Sequence, residues 1–136
     1  MTRLGVPSYG GTSLLSAFIL LLSTGQVFSS VHRPGNDPPE IVTKPRNLQV
    51  KHGGIAAFYC AAKGVPPPVI QWKKNGKRVS ESQTRYQVRE LPDGSSLLRI
   101  EPVRMGRDDA TYECVAENGV GDAVTKEATL TVFDRK

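Results

Sequence analysis

Four cations fall within six residues of this sequence, Lys73, Lys74, Lys77 and Arg78, and no acid stands among them. Ammonium and guanidinium groups held this close cannot neutralise one another. What they offer is attraction for a polyanion, since each sulfate or phosphate met releases condensed counterions, a gain that weakens with salt. The competing reading is a solvated turn, the usual fate of a charge run. Groups suited to covalent chemistry are sparser. His32 and His52 are the two histidines, and neither has a nucleophile or second metal ligand at useful spacing, so both read as surface histidines. Gly119-Val120-Gly121 reads as a turn rather than a phosphate loop, because no helix follows to offer its amides. No cofactor, metal site or catalytic residue is expected.

The elements that must hold the cations are short and β-rich. Asn75-Gly76 separates Val69–Lys74 from Lys77-Arg78-Val79, and both turn residues tolerate the positive φ of a type I′ hairpin. Ile55–Ala62 is a further strand, Pro66-Pro67-Pro68 a stiff loop and Pro92-Asp93-Gly94 a turn, while no segment keeps a helical apolar period. The expectation is an all-β fold. With 136 residues, 38% hydrophobic and 23% charged, the chain suits one domain and is neither a disordered tail nor a multidomain enzyme.

Leu14–Leu22 is a nearly apolar run preceded by Arg3 and followed by Ser23, Thr24 and Gly25, the pattern of a secretory signal. It is too short for the roughly 30 Å hydrocarbon core of a bilayer, which favours cleavage over anchoring. Residues 1–29 are read as signal peptide, with the cut between Gly25 and Ser30, and residues 30–38 as a flexible Pro/Gly leader, with nothing from Val31 to Glu40 able to begin a packed element. Removal of Arg3 with the signal takes the net charge from +5 to 17 − 13 = +4. No later stretch approaches membrane-spanning length, so the expected place is secreted, or the ectodomain of a plasma-membrane receptor if the chain is a fragment. No Asn is followed two positions on by Ser or Thr, so a surface bare of N-glycan is expected. Outside the cell sulfated glycosaminoglycan, rather than nucleic acid, is the accessible polyanion.

Cys60 shares a strand face with Ala56, Phe58 and Ala62, and Cys114 shares one with Tyr112 and Ala116. Two inward thiols in an oxidising compartment should pair. Such a bridge, closing so long a loop, is worth about 4 kcal/mol in the chain-entropy model.

Trp72 lies twelve residues after Cys60, and Asp108-Asp109-Ala110-Thr111-Tyr112-Glu113-Cys114 sets a Tyr two before the second Cys. This frame resembles an immunoglobulin domain, which implies a two-sheet sandwich of the intermediate (I) set over residues 39–133, with 134–136 as a tail. It also implies Trp72 packed on an inter-sheet disulfide and the Tyr112 hydroxyl bonded to a backbone group at a corner. Pro38–Pro45, Gly53–Cys60, Trp72–Ser80 and Leu98–Arg104 together resemble the first immunoglobulin domain of LAR-type receptor protein tyrosine phosphatases. Tyr112–Ala123 is similar to the invertebrate members.

That resemblance implies a module of cell adhesion, axon guidance and synapse formation. It implies heparan and chondroitin sulfate proteoglycans as partners, met through Lys73, Lys74, Lys77 and Arg78, with cell-surface adhesion proteins at the sheet faces as the alternative class. Arg85, Arg89 and Arg99, outward by parity, would extend the basic patch. For Arg85 a second role stands beside ligand binding, an ion pair with Asp108. The phosphatase activity is not implied for this chain, because the His-Cys-x₅-Arg loop that attacks phosphorus is absent.

Overall fold

The computed structural model of the protein describes residues 36–80 and 84–135. The expected signal segment and the leader up to residue 35 lie outside the described residues. Within them the chain forms nine strands: β1 (Asp37–Thr43), β2 (Leu48–Lys51), β3 (Ala56–Val65), β4 (Val69–Lys74), β5 (Lys77–Arg78), β6 (Tyr86–Glu90), β7 (Ser96–Ile100), β8 (Ala110–Glu117) and β9 (Val124–Phe133). They build a four-stranded sheet in the order β1-β3-β7-β6 and a five-stranded sheet in the order β2-β9-β8-β4-β5. All pairings are antiparallel except β2 with β9.

Alternation explains why these segments are strands. Ala56, Phe58 and Cys60 on β3, Leu98 and Ile100 on β7, Tyr112, Cys114 and Ala116 on β8, and Ala128, Leu130 and Val132 on β9 are all buried, and their neighbours turn outward. The inward sets meet between the sheets. Cys60 and Cys114 are bonded, joining β3 of one sheet to β8 of the other with Cα atoms 6.4 Å apart. Trp72 lies opposite Cys114 in the β4–β8 ladder, and its indole N–H donates across the sandwich to Ser96 Oγ at 2.9 Å. The Phe58 ring sits 6.3 Å from Trp72 and 5.1 Å from Tyr112, centroid to centroid.

One expectation needs correcting. Asp37–Glu40, read as leader and irregular chain, belong to β1, and Pro39 is buried. Two prolines are tolerated because β1 is an edge strand, where a missing N–H need cost no ladder bond. A bulge accommodates them as well: Asp37 faces Val65 and Glu40 faces Lys63, so β1 carries one extra residue between those pairs.

The bridge yields the first test. Thiol titration of the unfolded, unreduced protein should find no free thiol, and two should appear after reduction. Urea unfolding of the reduced form should show stability lower by about 4 kcal/mol. Unchanged stability would mean that the cross-link does not carry the load assigned to it.

Candidate functional site

The basic hairpin forms because its two turn residues can take the backbone angles it demands. Asn75 has φ of 47° and Gly76 of 84°, both positive as a type I′ turn requires. Asn75 also fastens the turn to the neighbouring strand, its N–H donating to the Thr111 carbonyl at 2.8 Å while its Oδ1 accepts the Thr111 N–H at 3.0 Å. The tip is therefore held rigidly at the edge of the five-stranded sheet.

Register divides the four cations into two pairs. Lys73 lies opposite Arg78, and Lys74 opposite Lys77. Directly opposed residues share a face, and Trp72 points into the core, so Lys73 and Arg78 project from the outer face of the sheet. Lys74 takes the inward parity at the end of the sandwich. Its ammonium donates to the Tyr86 hydroxyl at 2.9 Å and to the Arg107 carbonyl at 2.7 Å, and stands 5.2 Å from the Tyr86 ring centroid. With Lys77, Arg78, Val79 and Tyr86 it lines an open groove of about 350 Å³. An ammonium has three donors, so Lys74 retains one for a ligand after fastening the inward face of the hairpin.

Tyr86, which no sequence motif singled out, links the hairpin to the buried Asp108 carboxylate. Its hydroxyl donates to Asp108 Oδ1. The Asp108 carboxylate is fully buried and receives Arg85 through both guanidinium nitrogens, at 2.6 and 3.1 Å, and the Arg104 N–H at 2.6 Å. Arg85 donates in addition to the Pro102 carbonyl at 2.7 Å. The Tyr112 hydroxyl closes the corner, donating to the Asp108 carbonyl at 2.7 Å.

Burial is the largest influence on the Asp108 carboxyl and pushes its pKa up. The hydrogen bonds from Arg85, Tyr86 and the Arg104 amide, together with the Arg85 charge, outweigh it and hold the group below the usual carboxylate range. The Arg85 pKa is raised in turn, chiefly by its hydrogen bond to Asp108. Burial, then the contact with Tyr86, pushes the Tyr112 phenol up and keeps it neutral.

Of the two roles open to Arg85, the structure shows the ion pair with Asp108, which with the Pro102 carbonyl occupies three of its five N–H donors. Arg99 lies in the other sheet from the hairpin, on β7, and its guanidinium is 2.5 Å from Glu101 with both groups about half exposed. A pair so wet is weak and leaves the cation available to solvent. Arg89 is exposed on β6 at the edge of that sheet. Trp72, Tyr112 and Asp108 are buried. Tyr86 was detectable in principle: it alternates with Val88 toward the interior, and a buried phenol needs a partner.

The sign of the Asp108 shift fixes a pH dependence. A carboxyl with a depressed folded pKa contributes stability above its unfolded value near 4, and loses it as pH falls through the folded value. Stability followed by urea unfolding should drop from about pH 4 downward. Asp108→Asn should be less stable by about 3 kcal/mol at pH 7 and should show a flatter acid limb. An acid limb identical to wild type would remove Asp108 from this role.

Comparison with known proteins agrees with the geometry. Residues 39–132 match the immunoglobulin I-set domain family. The chain is 57% identical over 122 residues to the tyrosine-protein phosphatase Lar of Drosophila melanogaster, covering 90% of this chain and 6% of that protein. It is 44% identical over 117 residues to receptor-type tyrosine-protein phosphatase F of Danio rerio, covering 85% of this chain and again 6% of the relative. The crystal structure of the N-terminal Ig1-2 module of the Drosophila receptor DLAR superposes with a TM-score of 0.70 at 66% identity, covering 72% of this chain and 50% of that one. Titin domain M7 superposes with a TM-score of 0.67 at 29% identity, covering 74% of this chain and 99% of that domain. The aligned part of the phosphatases is an immunoglobulin module, so their catalytic activity does not come with the match. The chain belongs to the immunoglobulin I-set family, and the domain it forms is of the invertebrate LAR type.

Proposed function

We propose that this domain is an extracellular binding module that engages sulfated glycosaminoglycan chains, heparan or chondroitin sulfate, through the β4–β5 hairpin. Its setting would be a receptor of the LAR type acting in cell adhesion, axon guidance and synapse formation. The observation that carries the reading is the rigid type I′ turn presenting Lys73, Lys77 and Arg78 on two faces of a two-stranded tip, with Lys74 anchoring its inward face. A linear polyanion can follow such a tip without a closed pocket, because its sulfates need charge proximity more than fixed geometry.

The contributing set is Lys73, Lys77 and Arg78 by direct contact, Lys74 partly so, with Arg99 and Arg89 as peripheral cations. Arg85 supports the reading indirectly, by bracing the corner on which Tyr86 and Lys74 rest. A sulfated chain long enough to meet several receptors would raise avidity through bridging. Catalysis has no place in this proposal.

Heparin affinity measured across a salt series tests it. Changing Lys77 and Arg78 to Ala should weaken binding at low salt and reduce the slope of log K against log salt by about one to two units. Lys74→Met should weaken binding with a smaller loss of slope, since the hairpin loses its anchor to Tyr86 and Arg107 while most contacts persist. Equal affinity and slope in all three proteins would shift the function to a protein partner on a sheet face.

A further inference from the structure

The β4–β8 and β8–β9 ladders place a row of four charges straight across the outer face of the five-stranded sheet. Arg78 on β5 opposes Lys73 on β4, Lys73 opposes Glu113 on β8, and Glu113 opposes Glu127 on β9. Residues directly opposed in successive antiparallel ladders lie on one face, so the row reads cation, cation, anion, anion over about 14 Å. Two of its three contacts set like charge against like. Among the described residues, none of these four side chains makes an ion pair or hydrogen bond.

The rows on either side are uncharged. Gln71, Val115 and Thr125 flank it on one side, and Thr111 with Thr129 on the other. The charges are therefore the dominant feature of the centre of this face, and they are arranged in blocks rather than alternating.

A block pattern of this kind is its own complement under a two-fold axis. An axis lying in the plane of contact, parallel to the strands and midway between β4 and β8, carries Arg78 over Glu127 and Lys73 over Glu113 of a second copy. The reciprocal pairs follow by symmetry, as in any isologous interface. All four like-charged neighbours then gain a partner of opposite sign. No other charge in the flanking rows opposes this alignment.

We propose that the outer face of the β9-β8-β4-β5 sheet is a self-association surface, whose occupant is a second copy of this chain docked face to face through the Arg78–Lys73–Glu113–Glu127 row. The association is electrostatic in its specificity and depends on ionic strength. It does not rest on the glycosaminoglycan reading, because Glu113 and Glu127 lie outside the hairpin and can be changed with every hairpin cation left in place.

Sedimentation velocity of the secreted chain from about 1 µM to 1 mM at low salt is the test. The weight-average mass should rise toward that of a dimer and return to monomer when NaCl is raised from about 50 to 500 mM. The Lys73→Glu/Arg78→Glu protein, with an all-acidic row, and the Glu113→Lys/Glu127→Lys protein, with an all-basic row, should each self-associate at least about tenfold more weakly. Mixed in equal amounts, the two should form a heterodimer, an outcome that misfolding of either variant could not produce. Carrying all four reversals on one chain should restore the homodimer. Wild-type protein that stays monomeric throughout, or variants that associate as wild type does, would overturn the proposal, as would a mixture that fails to associate.

Discussion

The Asp108 carboxylate is withdrawn from water, and a buried anion persists only where its lone pairs and its charge are both answered. Arg85 answers the charge, and Arg85, Tyr86 and the Arg104 amide together answer the lone pairs. These three groups come from two separate stretches of chain, the start of β6 and the turn before β8. Satisfying one carboxylate therefore fixes how the end of the four-stranded sheet meets the five-stranded one. The Tyr112 hydroxyl, bonded to the Asp108 carbonyl, ties the same corner to the disulfide strand.

From that corner the constraint passes outward to the surface. The Tyr86 hydroxyl that donates to Asp108 also accepts from Lys74, and Lys74 reaches the Arg107 carbonyl in the turn beside Asp108. The basic hairpin is thus braced against the buried anion rather than left to its own two-residue pairing. A two-residue strand such as β5 adds little stability alone. Asn75, bonded twice to Thr111, and Lys74, bonded to the corner, make the hairpin a fixed platform for its exposed charges.

The charge layout has a second consequence, arising from sheet order. Because β4 lies between β5 and β8, Lys73 separates Arg78 from Glu113, and the outer face carries a basic half and an acidic half. The same lysine belongs to the hairpin and to this row. Ligands that compete for it would couple polyanion contact to contact between copies.

What the sequence determined by itself is what depends on neighbours along the chain. The inward parity of Cys60, Cys114, Trp72 and Tyr112 and the type I′ turn at Asn75-Gly76 that groups the hairpin cations follow from period-two alternation and from the φ preferences of single residues, whereas the corner role of Tyr112 is implied by the resemblance to immunoglobulin domains. The bulge that lets Pro38 and Pro39 into β1 was not legible there, since proline compatibility depends on whether a strand is an edge, and edges exist only once a sheet is assembled. The tertiary structure alone decided that Arg85 pairs with Asp108, that Lys74 leans on Tyr86, and that Glu113 stands between Lys73 and Glu127. Each of these joins residues on different strands. Their register is set by how the whole sandwich closes its core, and no local preference encodes it.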